Sequence, residues 1–445
     1  MVCANVKIIE GLRSFLEMIS KEESIRELFT NQKSDFSRHR KLPFEKIVAL
    51  ILNFPKRSIS IELREFFNFI EEPDNCCTKG AFSLQRVKLR PDFFEVWNQL
   101  LVELFYFHYD NKIKRWKGFR LMAIDGSTNY LFNKPEVVNY FGTVKNNHEH
   151  VSIPISRILQ IQDVLNEVIV WSGMFPYKIS EREIVSANIS RLPYDSIALM
   201  DRGFPCYSLM YLLMNQEKAI HFVMRCKSDF NKKIISFSRS RVSDTVVKLM
   251  PSYKAIKQLK KNGYIVPAQT EILVRLVKIK LSSGETEILI TNLFDQNLYS
   301  IQDLKQVYYL RWKTETSFGT QKNQLQMEVF SGHSVASILQ DYYACIFVAN
   351  LQALIEKQCA QHLIKISRKR KYTYKINKNV SWSCMKNNIV NLFLTNKIED
   401  ILIKLQKLFE VNIEPVRLNR TLPRTRKIRK VLGKYKTEMN YKRAV

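Results

Sequence analysis

Through the first quarter of the chain apolar residues recur at three- and four-residue spacing, in IRELF (25–29), PFEKIVALILNF (43–54), SIELREFFNFI (60–70) and DFFEVWNQLLVELFYF (92–107). That period predicts helices with one apolar face over residues 1–118. The stretches between them, FSRHRKLPFEK and KGAFSLQRVKLRP, are polar and basic. A bundle that only packs and a bundle that also contacts DNA share this pattern.

From Phe119 the period shortens. FRLMAIDGS, VSIPISRILQIQDV and NEVIVWSGMF read as three β-rich strands, the middle one as a strand plus a turn. SEREIVSANISRL then reads as a helix, DSIALMDRG as a buried strand ending in a turn, PCYSLMYLLMNQ as a helix and AIHFVMRC as a strand. The order β-β-β-α-β-α-β describes an α+β or α/β fold, a mixed sheet flanked by helices. Basic, strand-like segments over 227–298, including TEILVRLVKIKLSSGETEILITNLF, predict a β-rich insertion subdomain with a hairpin at SSGE. Helical spacing returns in LKQVYYLRWKTETSFGTQKNQLQ and SVASILQDYYACIFVANLQALIEKQ. The division is a helical 1–118, a core in two parts at 119–226 and 299–360, the insertion between them, and a basic helical region at 361–445.

Composition narrows the partners. The 445 residues include 70 Lys and Arg against 42 Asp and Glu, a formal net charge of +28 that asks for a polyanion. Four segments, 31–90, 227–300, 365–379 and 415–445, hold the excess. With 46% hydrophobic and 11% aromatic residues the chain can bury a large core. No uninterrupted apolar run approaches the roughly 20 residues of a membrane-spanning helix, and the first residues lack a signal peptide's layout, so a soluble, cytoplasmic protein is expected. Eight scattered cysteines with no C-x-x-C pair predict reduced thiols, with neither a zinc module nor a disulfide framework.

Asp125 in LMAIDGS and Asp201 in IALMDRG each follow an apolar run and precede a glycine. Carboxyl ends of strands are where α/β sheets display chemistry, and the small residue would leave room for a metal or a phosphate. An isolated Asp there is commonly a turn residue or a helix cap. Two with the same surroundings are less easily dismissed. Tyr308, Arg311, Glu315 and Lys322 then fall at roughly 0°, 300°, 340° and 320° around a continuous helix, one face within about 60°. That face is unlike a packing stripe; its plain reading is a solvated surface carrying an Arg311–Glu315 pair at i, i+4. Three carboxylates supply the hard oxygen ligands Mg²⁺ requires, and two such ions roughly 3.5–4 Å apart can stabilise attacking and leaving oxygens at phosphorus. Arg311, Lys322 and Tyr308 would hold the phosphodiester.

The series IDGS, MDRGF and Y-x2-R-x3-E-x6-K resembles the transposases of bacterial insertion sequences that use a DDE triad, in particular the insertion-sequence-four family. The resemblance runs from SRHRKLPFEKIVALIL through MEVFSGHSVASILQDYYACIFVANLQAL to PVRLNRTLPR. It implies a ribonuclease-H-like core with a β insertion before its last helix. By that likeness Asp125, Asp201 and Glu315 are the catalytic residues and ligands of two Mg²⁺ ions, with Mn²⁺ as a substitute, while Tyr308, Arg311 and Lys322 bind DNA. It further implies cut-and-paste transfer at terminal inverted repeats through a hairpin intermediate, by a homodimer holding both double-stranded ends. The rival readings are an inactive DNA-binding relative and a ribonuclease-H-like nuclease without strand transfer.

One departure stands out: relatives stack a flipped base on a Trp in the insertion, and no Trp lies between Trp171 and Trp312. Phe294 and Tyr299 are the substitutes on offer. His148-Glu149-His150 reads as a polar loop, because consecutive residues cannot converge on one ion. Trp312 points off the signature face and reads as core. SRKRKYTYK and RTRKIRKVLGKYK interleave Tyr with basic residues, as DNA-contacting tails do.

Overall fold

The computed structural model describes residues 2–38, 40–53, 56–145, 152–281 and 284–417. His148-Glu149-His150, the SSGE serines and RTRKIRKVLGKYK lie outside them. The chain opens with helices α1 (Val2–Lys21), α2 (Glu23–Arg26), α3 (Phe44–Leu52), α4 (Ile59–Phe69), α5 (Lys79–Arg86) and α6 (Asp92–Tyr109). Next come β1 (Arg120–Tyr130), α7 (Pro135–Phe141), β2 (Thr143–Lys145), β3 (Ser152–Asp163), β4 (Val168–Pro176), α8 (Glu181–Ala187), β5 (Ser196–Met200), α9 (Tyr207–Met214) and β6 (His221–Cys226). A third stretch holds α10 (Lys232–Arg239), β7 (Asp244–Leu249), α11 (Tyr253–Lys261), β8 (Ile272–Lys280) and β9 (Thr286–Thr291). The remainder is α12 (Ile301–Tyr309), α13 (Trp312–Asn323), α14 (Val335–Gln358), α15 (Ala360–Lys369), β10 (Thr373–Ile376), α16 (Lys378–Met385), α17 (Asn388–Leu394), α18 (Ile398–Val411) and β11 (Ile413–Val416).

The fold is mixed α+β. Nine strands form one sheet in the order β2-β3-β1-β5-β6-β9-β8-β7, with β4 also on β3. Pairing is parallel for β1 with β5 and β5 with β6, and antiparallel elsewhere. The expected β insertion is therefore not a sheet of its own, since β9 pairs with β6 and carries β8 and β7 onto the edge of the central sheet. Two helices lie within it that the strand-like reading passed over. They are short, but Asn231 and Ser252 cap them by accepting from the amides of Ile234 and Ala255.

Alternation along β1 and β5 sends side chains to two cores. Met122, Ile124, Ala198 and Met200 pack under α8 and α9, whereas Leu121, Ala123, Ile197 and Leu199 pack against α12. A third core joins the N-terminal helices to α14, α17 and α18; there Trp97 stacks on Phe347 with ring centroids 4.2 Å apart. The boundary at residue 118 consequently does not separate two cores. Helix α14 is long and apolar enough to cross a membrane by composition, yet 72% of its most apolar window is buried in this core. All eight cysteines are free thiols.

Candidate functional site

The two aspartates come from neighbouring strands. Parallel pairing of β1 with β5 ends at Ile124 opposite Met200, so Asp125 and Asp201 are the next residue of each. Strand β1 itself runs on to Tyr130 against β3, which places Asp125 in mid-strand rather than at its end. Its carboxylate faces the α12 side with Leu121 and Ala123, at the point where β5 stops and the sheet opens.

The glycines after the aspartates do something other than leave room for a ligand. A Cβ on Gly126 would sit 2.3 Å from Glu181 Oε1, on the opposite face from Asp125. Glu181 is held there by Arg157 at 2.9 Å. Gly203 donates its amide to Asp201 Oδ1 at 2.7 Å, and a Cβ there would come within 2.9 Å of that same oxygen. One glycine admits a neighbouring carboxylate and the other holds the aspartate in place.

Glu315 arrives on α13, and here the continuous helix expected from the spacing is broken. Helix α12 ends at Tyr309 and α13 begins at Trp312. Through the break the amides of Leu310, Arg311, Lys313 and Thr314 bond three residues back, to Val307, Tyr308, Leu310 and Arg311. The tighter turn departs from the even 3.6-residue spacing on which the single face of Tyr308, Arg311, Glu315 and Lys322 was calculated. Tyr308 is instead buried among Leu304 and Val307 beside the sheet, its hydroxyl pushed up to about 12, chiefly by burial.

Polar anchors seat α13 along β1 and β3. Lys313 donates to the Val164 carbonyl at 2.9 Å, Gln321 to Gln160 Oε1 at 2.7 Å, and Gln160 to Ser317 Oγ at 3.2 Å. At the far end Lys322 donates to the Thr128 carbonyl and lies 3.8 Å from Glu328, which itself accepts from the Tyr130 amide at 3.0 Å. Gln160 stands directly opposite Asp125 in the β1–β3 register, so the network fixing α13 begins beside the aspartate. Apart from Lys322, none of these residues was singled out from sequence. The signal was there: Gln160 and Gln162 interrupt the apolar run ILQIQ, and Lys313, Ser317 and Gln321 recur every four residues.

Arg311, at the helix break, is 5% exposed. Its Nη2 is 2.9 Å from Glu315 Oε1 and its Nη1 3.7 Å from Asp125 Oδ2. The guanidinium lies 5.1 Å from the centroid of the Trp312 ring and 5.8 Å from that of Tyr308. Trp312 is thus not core; it is half exposed and covers the arginine. Burial pushes the Asp125 carboxyl up to about 7: Arg311 pulls it down, but the nearby charges of Asp201 and Glu315 add to the rise. Asp201 and Glu315 therefore both lie within electrostatic reach of Asp125. Among the described residues no three His, Cys, Asp or Glu side chains are grouped to hold a metal ion as they stand, and Arg311 is the cation between two of them.

A basic cleft of about 440 Å³ opens one residue beyond Asp201, lined by Arg202, Arg225, Lys227 and Lys278 together with Glu287 and Asp229. Of the two aromatic substitutes for a stacking Trp, Tyr299 is buried beside Trp116 and Phe294 is 41% exposed, so only Phe294 offers a free face.

Residues 159–351 match the model of a family described as "Transposase DDE domain". That stretch contains Asp201, Tyr308, Arg311, Glu315 and Lys322 but begins beyond Asp125. A curated Escherichia coli (strain K12) protein named "Putative transposase InsZ" is 22% identical over 134 residues, 30% of this chain and 45% of that protein. The match thus spans under half the length of that relative. A structure titled "Cryo-EM structure of piggyBac transposase synaptic complex with hairpin DNA (SNHP)" aligns over 95% of this chain and 87% of its own, at 11% identity and a TM-score of 0.42, an overlap too loose to carry an argument.

Proposed function

We propose that the protein is a DDE-type DNA transposase of the insertion-sequence-four kind, cleaving at the inverted-repeat ends of its own element and joining them to target DNA. The observation that supports this reading is the buried Arg311 standing between Asp125 and Glu315, with the Asp125 carboxyl raised to about 7 by burial and, in smaller part, by the charges of Asp201 and Glu315. The charges of Asp201 and Glu315 acting on a buried Asp125 cost stability unless a cation offsets them. The match to the transposase domain over 159–351 supports the same reading.

The donor set suits a hard divalent cation, since all three side chains offer carboxylate oxygens and a guanidinium now stands between two of them. Asp125, Asp201 and Glu315 are the residues we assign to two Mg²⁺ ions, which would stabilise charge on the attacking and leaving oxygens during displacement at phosphorus. Arg311 offers a planar fork to a phosphate oxygen and Lys322 a point charge farther along α13. Tyr308, in the last turn of α12, sets its ring 5.8 Å from the Arg311 guanidinium. The cleft holding Arg202, Arg225, Lys227 and Lys278 continues the positive track for double-stranded DNA. In this reading the core is ribonuclease-H-like, interrupted at 227–298, the helices of 1–118 and the basic region after 361 contact DNA, and a homodimer holds both ends.

Purified full-length protein with Mg²⁺ and DNA carrying the element's ends is expected to cut at those ends. Asp125→Ala, Asp201→Ala and Glu315→Ala should each lower cleavage by about a hundredfold or more with DNA binding retained. Undiminished cleavage in all three would overturn the assignment. Joined products in a target plasmid distinguish a transposase from a nuclease, which would leave only cut DNA.

A further inference from the structure

Arg311 is tied to two carboxylates of different origin, Asp125 from the sheet and Glu315 from its own helix. Its Nε has no hydrogen-bond partner among the described residues. The rings of Tyr308 and Trp312 flank the guanidinium, the latter half exposed. The arginine is therefore buried without being fully satisfied, on a turn of backbone rather than within a helix. It also fills the electrostatic role that a divalent ion would take: a positive charge between Asp125 and Glu315.

We propose that Arg311 is the internal counter-ion of the resting site and exchanges with metal, so that metal and DNA phosphate bind cooperatively through it. This rests on the proposed function above and adds a coupling to it. A divalent ion bound by Asp125 and Glu315 must displace the guanidinium, because two cations that close repel each other in a partly buried site. The displaced fork, still anchored at the helix break, needs a new anion, and a DNA phosphate supplies one. Conversely, a phosphate that draws Arg311 away leaves two carboxylates uncompensated and raises their affinity for the ion. Reciprocity requires the two effects to be equal as binding free energies.

The test is titration of the full-length protein with Mn²⁺, followed by calorimetry, with and without a short DNA duplex, for wild type, Arg311→Gln and Arg311→Lys. Thermal melting of each protein accompanies it. Without DNA, Arg311→Gln should bind Mn²⁺ about tenfold more tightly than wild type, equivalent to about 1.4 kcal/mol. The duplex should tighten Mn²⁺ binding by wild type and leave Arg311→Gln unchanged; Arg311→Lys should behave nearer to wild type. Equal or weaker Mn²⁺ binding by a normally melting Arg311→Gln overturns the exchange while the proposed function stands. If Arg311→Gln does not fold, wild type still decides: Mn²⁺ affinity indifferent to the duplex overturns the coupling. Absence of Mn²⁺ binding by every protein overturns both the coupling and the metal-dependent function on which it rests.

Discussion

Two buried arginines, Arg86 and Arg311, each face an aspartate across elements, and they are built in opposite ways. Arg86, 3% exposed, donates from Nε to Gln340 at 2.5 Å, from Nη2 to the Ser337 carbonyl and Asp341 at 2.8 Å, and from Nη1 to Ser331. Every nitrogen is used. The Asp341 carboxyl is held below its ordinary range although burial alone would raise it, because Arg86, Lys56 and the Ser331 amide and hydroxyl more than offset that cost. Arg311 leaves Nε unmet, and the Asp125 carboxyl beside it is raised instead. A satisfied cluster fastens helices together. An unsatisfied one stores a demand for charge that something else must meet, which is the ordinary mark of a site rather than a joint.

The largest effect that would break this contrast is at the joint. Arg86→Ala takes the one salt-bridge partner that Asp341 has among the described residues from a buried carboxylate between α5 and α14, leaving it the Ser331 amide and hydroxyl and the charge of Lys56, and should cost about 3–5 kcal/mol in urea unfolding. A loss below about 1 kcal/mol would mean that the cluster is not a fastening.

Next comes pH, where the two clusters should answer with opposite sign. The folded Asp125 titrates near 7 against an ordinary 3.8, so the folded state binds more protons across that interval and its stability falls as pH rises through it. In metal-free protein Asp125→Asn should gain on wild type by on the order of 2–4 kcal/mol between about pH 4 and pH 8. Asp341 has the opposite shift, so its contribution is present at neutral pH and lost as pH falls through the carboxylate range. Asp341→Asn should therefore be most damaging at neutral pH. Parallel profiles for the two variants would remove the distinction.

Two smaller effects sharpen it. Gln160→Leu removes one of the two partners of the Gln321 amide, costing about 1–3 kcal/mol, and should lower cleavage further than stability because it loosens α13 beside Asp125. Gly203→Ala forces only the mobile end of Asp201 to shift, so melting should hardly move while cleavage falls severalfold, a gap read by comparing melting with initial rates.

How much of this was legible beforehand depends on distance along the chain. The strands around Asp125 and Asp201 and the helix capped by Ser180 and Glu183 are local, and their periods were readable. Asp125, Asp201 and Glu315 were picked out by local surroundings and by resemblance; what that pattern could not convey was that Arg311 stands between Asp125 and Glu315. The break between α12 and α13 follows no Pro or Gly, so the spacing read on as one helix. The joining of β9 to β6 and the docking of α13 through Gln160 are pairings between residues 60 or more positions apart, which periodicity does not record. The reading of glycine as vacant space failed similarly, because Glu181 is remote in sequence and opposite in face.

Asp125 and Asp201 occupy the rung just past Ile124 and Met200. Their proximity is thus an address counted in residues, and strand alternation makes that address binary. Removing any one residue between Arg120 and Ile124 would turn Asp125 through the sheet toward Glu181, leaving its chemistry intact and its location wrong. Strand β1 should accordingly accept many exchanges of one apolar residue for another and no change at all in their number.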